Sequence, residues 1–147
     1  MEREIMDLQK IIEVSTGEKF SYDKTKTWVD LFKEVAKKNP DKIAVADENS
    51  EMTYSELDKA SDKIAAHLIA DGVQENEFVG IRLGRIKEFV AAALGVHKAW
   101  AAYLPIDLDY PPGRVAYMFA DSDATVIITE KLLKRFLSSD APEISLP

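Results

Sequence analysis

AAYLPIDLDYPPGR, residues 101–114, is the stretch from which the fold is read. Residues 102–106 predict a strand, Asp107 to Tyr110 a turn, and Pro111-Pro112 the opening of a helix, since proline is pre-shaped for a first helical turn. Val115, Met118 and Phe119 carry that helix to about Ser122. Immediately upstream, KEFVAAALGVHKA (residues 87–99) is apolar on most sides, which predicts a buried helix from about Ile86 to Ala99. FVGIRL (78–83) and ATVIIT (124–129) are further apolar strands, and Lys131 to Leu137 a closing helical turn or two. Three apolar strands alternating with helices predict an α/β fold, a mostly parallel sheet with flanking helices and right-handed crossovers.

Farther toward the N-terminus the pattern continues. Thr27 is placed to cap a helix running to Lys38, with Trp28, Leu31, Phe32 and Val35 on one face. Residues 42–46 and 51–54 predict a small β-hairpin about the turn Asp47 to Ser50. Ser55 and Asp58 are spaced as a capping-box start for the next helix, which carries Leu57, Ala60, Ile64, Leu68 and Ile69 and stops at Asp71-Gly72. Residues 1–26 form a lead-in segment, with an amphipathic helix over Glu2 to Glu13 that uses Ile5, Leu8, Ile11 and Ile12. Residues 27–137 are the α/β part, and residues 138–147 a tail or truncation edge.

The chain has 147 residues, 46% apolar and 31% charged, with a net charge of −7. That is the composition of a globular protein, and its acidity argues against a sequence-independent nucleic-acid binder, which needs a basic face to displace counterions. No basic run exceeds two residues, as in Lys37-Lys38. There is no cysteine, so disulfides and thiolate chemistry are excluded. No apolar run approaches the ~20 residues that span a bilayer, and MEREIMDLQK lacks a signal-peptide core, so a cytoplasmic protein is expected.

Sequence motifs for chemistry are sparse. The glycines at 17, 72, 80, 84, 95 and 113 form neither GxGxxG nor a P-loop, and there is no GxSxG elbow. Gly80 and Gly84 suit close packing. His67 and His97 lie on different helices without partners at ligand spacing, so no metal site is expected. In parallel sheets ligands bind beyond the carboxyl ends of the strands, here Gly84-Arg85, Asp107 and Thr129-Glu130, although each also suits a turn or a cap. The pairs Asp107/Asp109 and Asp121/Asp123 sit where aspartate ordinarily satisfies loose backbone donors. Trp28 and Trp100 are the largest side chains, and Trp28 is expected to anchor a core or an interface.

Several segments together carry a family likeness. Residues 52–57 (MTYSEL) resemble the (L)TYxEL segment of amino-acid adenylation domains of nonribosomal peptide synthetases, and residues 97–107 (HKAWAAYLPID) the LKAGxAYxPxD motif. Asp109 to Arg114, Tyr117-Met118 and Asp121 to Ala124 resemble the DPxYPxERxxYxxxDSxA continuation. Residues 27–32 and 39–45 resemble the family opening. The match runs from about Tyr22 to Thr129 in the family's order. It departs at Trp100, where the motif has glycine, and at His97, where it has leucine.

The resemblance implies the large N-terminal subdomain of an adenylate-forming ligase. Such enzymes use ATP and Mg to turn an amino-acid carboxylate into an acyl-adenylate, then load a phosphopantetheine thiol on a carrier domain. It further implies that the phosphate loop, the nucleotide and substrate contacts and the catalytic lysine lie after Pro147. No catalytic, cofactor-binding or metal residue is therefore assigned, and the chain alone is expected to be inactive. Tyr54, Leu57, Tyr103, Pro105, Arg114 and Asp121 become framework residues. The expected partners are the remainder of the adenylation domain and the carrier, with no nucleic acid and no membrane. Self-association is expected through the 124–129 strand. Two alternatives stand beside this reading: a non-enzymatic α/β assembly module complementing a split ligase, and a fragment of an acyl-CoA synthetase or D-alanine-activating ligase.

Overall fold

In the computed structural model, residues 10, 12, 15–17, 21 and 23–142 are described. Most of the helix expected over Glu2 to Glu13 lies outside them. The elements are α1 (Trp28–Lys38), β1 (Ile43–Ala46), β2 (Glu51–Thr53), α2 (Tyr54–Ala70), β3 (Phe78–Ile81), α3 (Lys87–Lys98), β4 (Ala102–Pro105), α4 (Pro112–Ser122), β5 (Val126–Ile128) and α5 (Glu130–Ser138).

Strands β4-β3-β5 form a parallel sheet in that order, and β1 and β2 form a separate antiparallel pair. Because β3 to β4 steps one way and β4 to β5 steps back across β3, crossovers of a single hand put α3 and α4 on opposite faces. The pleat agrees: Val79 and Ile81 are fully buried in the core with α2 and α3, while Gly80 faces Phe119 of α4. The three strands are shorter than expected. β5 ends at Ile128 because the Thr129 hydroxyl caps α5, and only single bonds extend the sheet further, from the Ile106 N–H to the Ile81 carbonyl and from the Arg82 N–H to the Ile128 carbonyl.

Two capping boxes start α1 and α2. Thr27 accepts from the Asp30 N–H while its own N–H donates to the Asp30 carboxylate at 2.8 Å. For α2 the start expected at Ser55 and Asp58 is wrong by two residues. Thr53 and Glu56 form the box, with the Thr53 N–H 2.8 Å from Glu56 Oε2, because the helix begins directly at the end of β2. Asp58 is left free for another partner. The core lies between sheet and helices: Ile64, Leu68, Val79, Ile81, Val96, Ile128 and Phe136 are at 0% exposure. Each such side chain contributes roughly 1.5–3 kcal/mol by leaving water.

The hairpin turn has a second task. The N-cap residue of α3, Ile86, has no side chain to offer, and the Asp47 carboxylate from the β1–β2 turn accepts from the Lys87 N–H at 3.0 Å. It also accepts from the N–H groups of Asn49 and Ser50. These backbone donors, Lys87 first, pull the Asp47 pKa from 3.8 to about 2. A depressed carboxylate stabilises the fold above its unfolded pKa and loses that contribution as pH falls through the folded one. Asp47→Asn is therefore expected to lower Tm relative to the parent above pH 3.8, with the gap closing as pH falls toward about 2. Thermal melts of both proteins across that window check the sign.

Candidate functional site

The parallel strands bring Gly84-Arg85, Asp107 and Thr129-Glu130 to one end of the sheet. There the described bonds serve the backbone. Asp107 Oδ1 accepts from the Asp109 N–H at 2.9 Å, the Thr129 hydroxyl caps α5, and the Gly84 carbonyl accepts from the Ile86 N–H. Arg82 Nη2 donates to the Leu108 carbonyl at 2.9 Å, tying the end of β3 to the loop after β4. Arg114 lies over the Tyr110 ring, 4.1 Å from its centroid. Asp123 is the left-handed C-cap of α4 at φ 53°, a conformation aspartate tolerates better than most residues. Neither aspartate pair is arranged with a third group for acid–base work among the described residues. Among the described residues no cluster of three or more His, Asp or Glu is placed to hold a metal.

The two histidines are far apart in role. His67 stacks on Phe136 at 4.8 Å, with Nε2 2.9 Å from the Ser139 hydroxyl, and so helps dock α5 on α2. His97 is met edge-on by Trp28 at 5.0 Å and Tyr103 at 5.5 Å. Burial among these rings holds its imidazole below the ordinary histidine pKa, which keeps it neutral at pH 7. Of the two places expected for Trp28, a core or an interface, the core is not the one it takes; it is 48% exposed. With Trp100, Asn76, Lys33 and His97 it lines a cleft of about 370 Å³ at the start of α1.

Beneath this cleft lies a group the sequence pattern does not flag. Lys98 is 2% exposed, and its ammonium donates to Asp58 Oδ1 at 2.5 Å, Asp62 Oδ1 at 2.6 Å and the Asp58 carbonyl at 3.1 Å. All three ammonium donors are thereby used. The Phe32 ring stands 5.7 Å away, so Lys98 joins α1, α2 and α3 at one point. The geometry is that of a structural clamp, with every ammonium donor occupied.

The profile of the AMP-binding enzymes matches residues 32–145. The chain belongs to the AMP-binding enzyme family. It is 39% identical over 125 residues to gramicidin S synthase 2 of Brevibacillus brevis, covering 85% of this chain and 3% of that protein. Bacitracin synthase 1 of Bacillus licheniformis is 40% identical over 134 residues, 91% of this chain and 2% of its own length. Among solved structures, the nonribosomal peptide synthetase FmoA3 superposes with a TM-score of 0.67 at 32% identity, over 81% of this chain and 12% of that one. The N-terminal subdomain of Klebsiella oxytoca NpsA, solved with 3-hydroxyanthranilyl-AMSN, gives a TM-score of 0.72 over 83% of this chain and 34% of that one. At 20% identity that likeness speaks for the fold alone. This AMP-binding chain is an N-terminal portion of a peptide-synthetase adenylation domain, and it spans a few per cent of the curated relatives above.

The departure at Trp100 from the family motif has a geometric reading. α3 ends in a Schellman motif: the Trp100 N–H donates to the His97 carbonyl at 3.0 Å and the Ala101 N–H to the Val96 carbonyl at 3.1 Å. The residue after the C-cap must then be left-handed, and Trp100 has φ 59°. The end of α2 is built the same way, with Gly72 at φ 95° and the matching bonds to Ile69 and Leu68. The motif glycine thus supplies a positive φ, which tryptophan adopts at a cost of roughly 1–2 kcal/mol. Trp100→Gly is expected to raise stability by about 1 kcal/mol, seen as a higher urea midpoint with unchanged slope. A lower midpoint would show that the ring's contacts outweigh the backbone strain.

Proposed function

We propose that this chain supplies the N-terminal framework of an ATP-dependent ligase that activates an amino acid. The enzyme joins the amino-acid carboxylate to AMP with release of pyrophosphate, then passes the acyl group to a phosphopantetheine thiol on a carrier domain in the cytoplasm. The observation that carries this reading is the family match over residues 32–145 together with close identity to peptide synthetases. AMP is the better leaving group, and its formation requires cationic and backbone donors aimed at the developing phosphoryl charge. The described residues include no cluster of three or more His, Asp or Glu placed to hold a metal. Their part is to hold the sheet and its loops in place, with residues 27–137 as the α/β body.

Amino-acid-dependent ATP–pyrophosphate exchange tests this. None is expected from residues 1–147 alone, and exchange is expected from a polypeptide in which the remaining adenylation-domain sequence follows. Exchange by the short chain would overturn its role as framework. Failure of the longer protein with every proteinogenic amino acid would overturn the substrate class.

The sheet edge carries a related expectation. β5 pairs with β3 on one side and with no strand on the other among the described residues. ATVIIT is uncharged and β-prone, the character of a strand that accepts another chain. In the parent this edge meets the rest of the domain. For the isolated chain, light scattering is expected to show mass rising with concentration, and a strict monomer at high concentration would count against it.

A further inference from the structure

We propose that His97 is a pH-sensitive latch: its neutral imidazole holds the first turn of α1 against the end of α3, and protonation releases Trp28. The contact is built from rings on three elements. Trp28, the first residue of α1, stands perpendicular to the His97 imidazole at 5.0 Å, and Tyr103 of β4 stands perpendicular to it at 5.5 Å. Phe89 of α3 backs Tyr103 at 6.2 Å. The imidazole thus joins α1 to β4, and it is the ring of this row that can change charge near neutral pH. Among the described residues no group hydrogen-bonds to either of its nitrogens. The family motif has leucine at this position, a side chain with no charge to gain.

The surroundings leave an imidazolium without support. α1 brings Asp30 and Lys33 to the same cleft, a carboxylate and an ammonium that act in opposite senses. The Asp30 carboxylate is also engaged by the N–H and hydroxyl of Thr27. α2 brings Asp58 and Asp62, and both are bound to the ammonium of Lys98, the next residue on α3. β4 brings the phenol of Tyr103. The helix ends oppose one another too: the last turn of α3 favours a cation and the first turn of α1 disfavours one. Burial decides the balance, and it holds the imidazole below its ordinary value of 6.5. A group depressed in this way stabilises the fold above its unfolded pKa and loses that contribution as pH falls through the folded one. The latch is therefore closed above pH 6.5 and opens as pH drops below it. Only the first turn of α1 is at stake, because Val29 and Phe32 pack on the core and the Phe32 ring adjoins Lys98. Trp28 lines the cleft of about 370 Å³, so the latch also sets the shape of that cleft.

The chain's composition supplies a clean probe. Trp28 and Trp100 are its only tryptophans, so Trp100→Gly leaves Trp28 as the sole reporter. In that background, as pH falls from 6.5, the emission is expected to red-shift and acrylamide quenching to increase, with the far-UV spectrum unchanged. Adding His97→Leu, the motif residue, is expected to abolish the response; His67 is present in both proteins, so any effect of its own cancels. Equal pH profiles with and without His97→Leu would overturn the latch. So would a Trp28 that becomes less accessible on acidification, since the imidazolium would then grip the indole as a cation on a ring. Should His97→Leu fail to fold, proton NMR of the single-tryptophan chain decides. The His97 ring protons and the Trp28 indole N–H are expected to titrate with one midpoint below 6.5, and separate midpoints would overturn the proposal.

Discussion

Replacing Lys98 by alanine is expected to destabilise the chain by about 3 kcal/mol. Breaking a buried ion pair by removing one partner costs roughly 3–5 kcal/mol. The lower end applies because the side chains of Asp58 and Asp62 are 33% and 44% exposed and regain water. The lysine stem is lost too, at a place where α1, α2 and α3 meet. Asp62→Asn is expected to cost under about 1 kcal/mol, since Asp58 still pairs with the ammonium. Replacing both aspartates by alanine should approach the effect of Lys98→Ala, because a buried ammonium is then left with one carbonyl. Urea unfolding of the three variants orders them. A Lys98→Ala loss no larger than that of Asp62→Asn would mean that the clamp contributes nothing beyond a surface pair.

The second large effect is at Gly95, inside α3. Glycine in a helix interior is about 1 kcal/mol worse than alanine, so its presence needs a reason, and the reason is α2. A Cβ at Gly95 would stand 2.7 Å from Ile64 Cβ and 3.0 Å from the Ser61 carbonyl oxygen. Neither atom can rotate aside, so the helices themselves must part. Gly95→Ala is therefore expected to lower stability by about 2 kcal/mol, the overpacking cost exceeding the gain in propensity. Gly113→Ala gives the contrast. Nothing lies within 4 Å of a Cβ there, and the change should be neutral or slightly stabilising. Equal urea midpoints for the two variants would show that the contact between α2 and α3 is not tight.

The strand and helix order, the glycine stop after α2 and the family were legible in the chain itself, whereas the left-handed end at Trp100 was not. Apolar periodicity, proline at the start of α4, glycine after α2 and the motif around residues 101–114 are all local signals, and the forces behind them act within a few residues. Boundaries were legible only approximately. The start of α2 moved from Ser55 to Thr53 because two spacings in the same stretch satisfy a capping rule, and the end of β2 selects between them.

The residues that hold elements together were a different matter. Lys98 stands in an apolar helix and Asp58 and Asp62 stand four apart on α2, yet their partnership spans 40 and 36 positions. Nothing local predicts which of the chain's 26 carboxylates meets that lysine. The same holds for Asp47, whose spacing reads as a turn residue and whose further role is to cap a helix forty positions away. Trp28 shows the limit from the other side. Its size and position predict anchoring, but α1 has a wider apolar sector than the core can cover, and packing buries the Val29 and Phe32 side instead. Local periodicity sets which residues can share a face. Which of two apolar faces is buried, which helices approach to glycine distance and which charges pair depend on how the elements pack, and that is decided only when the whole chain folds.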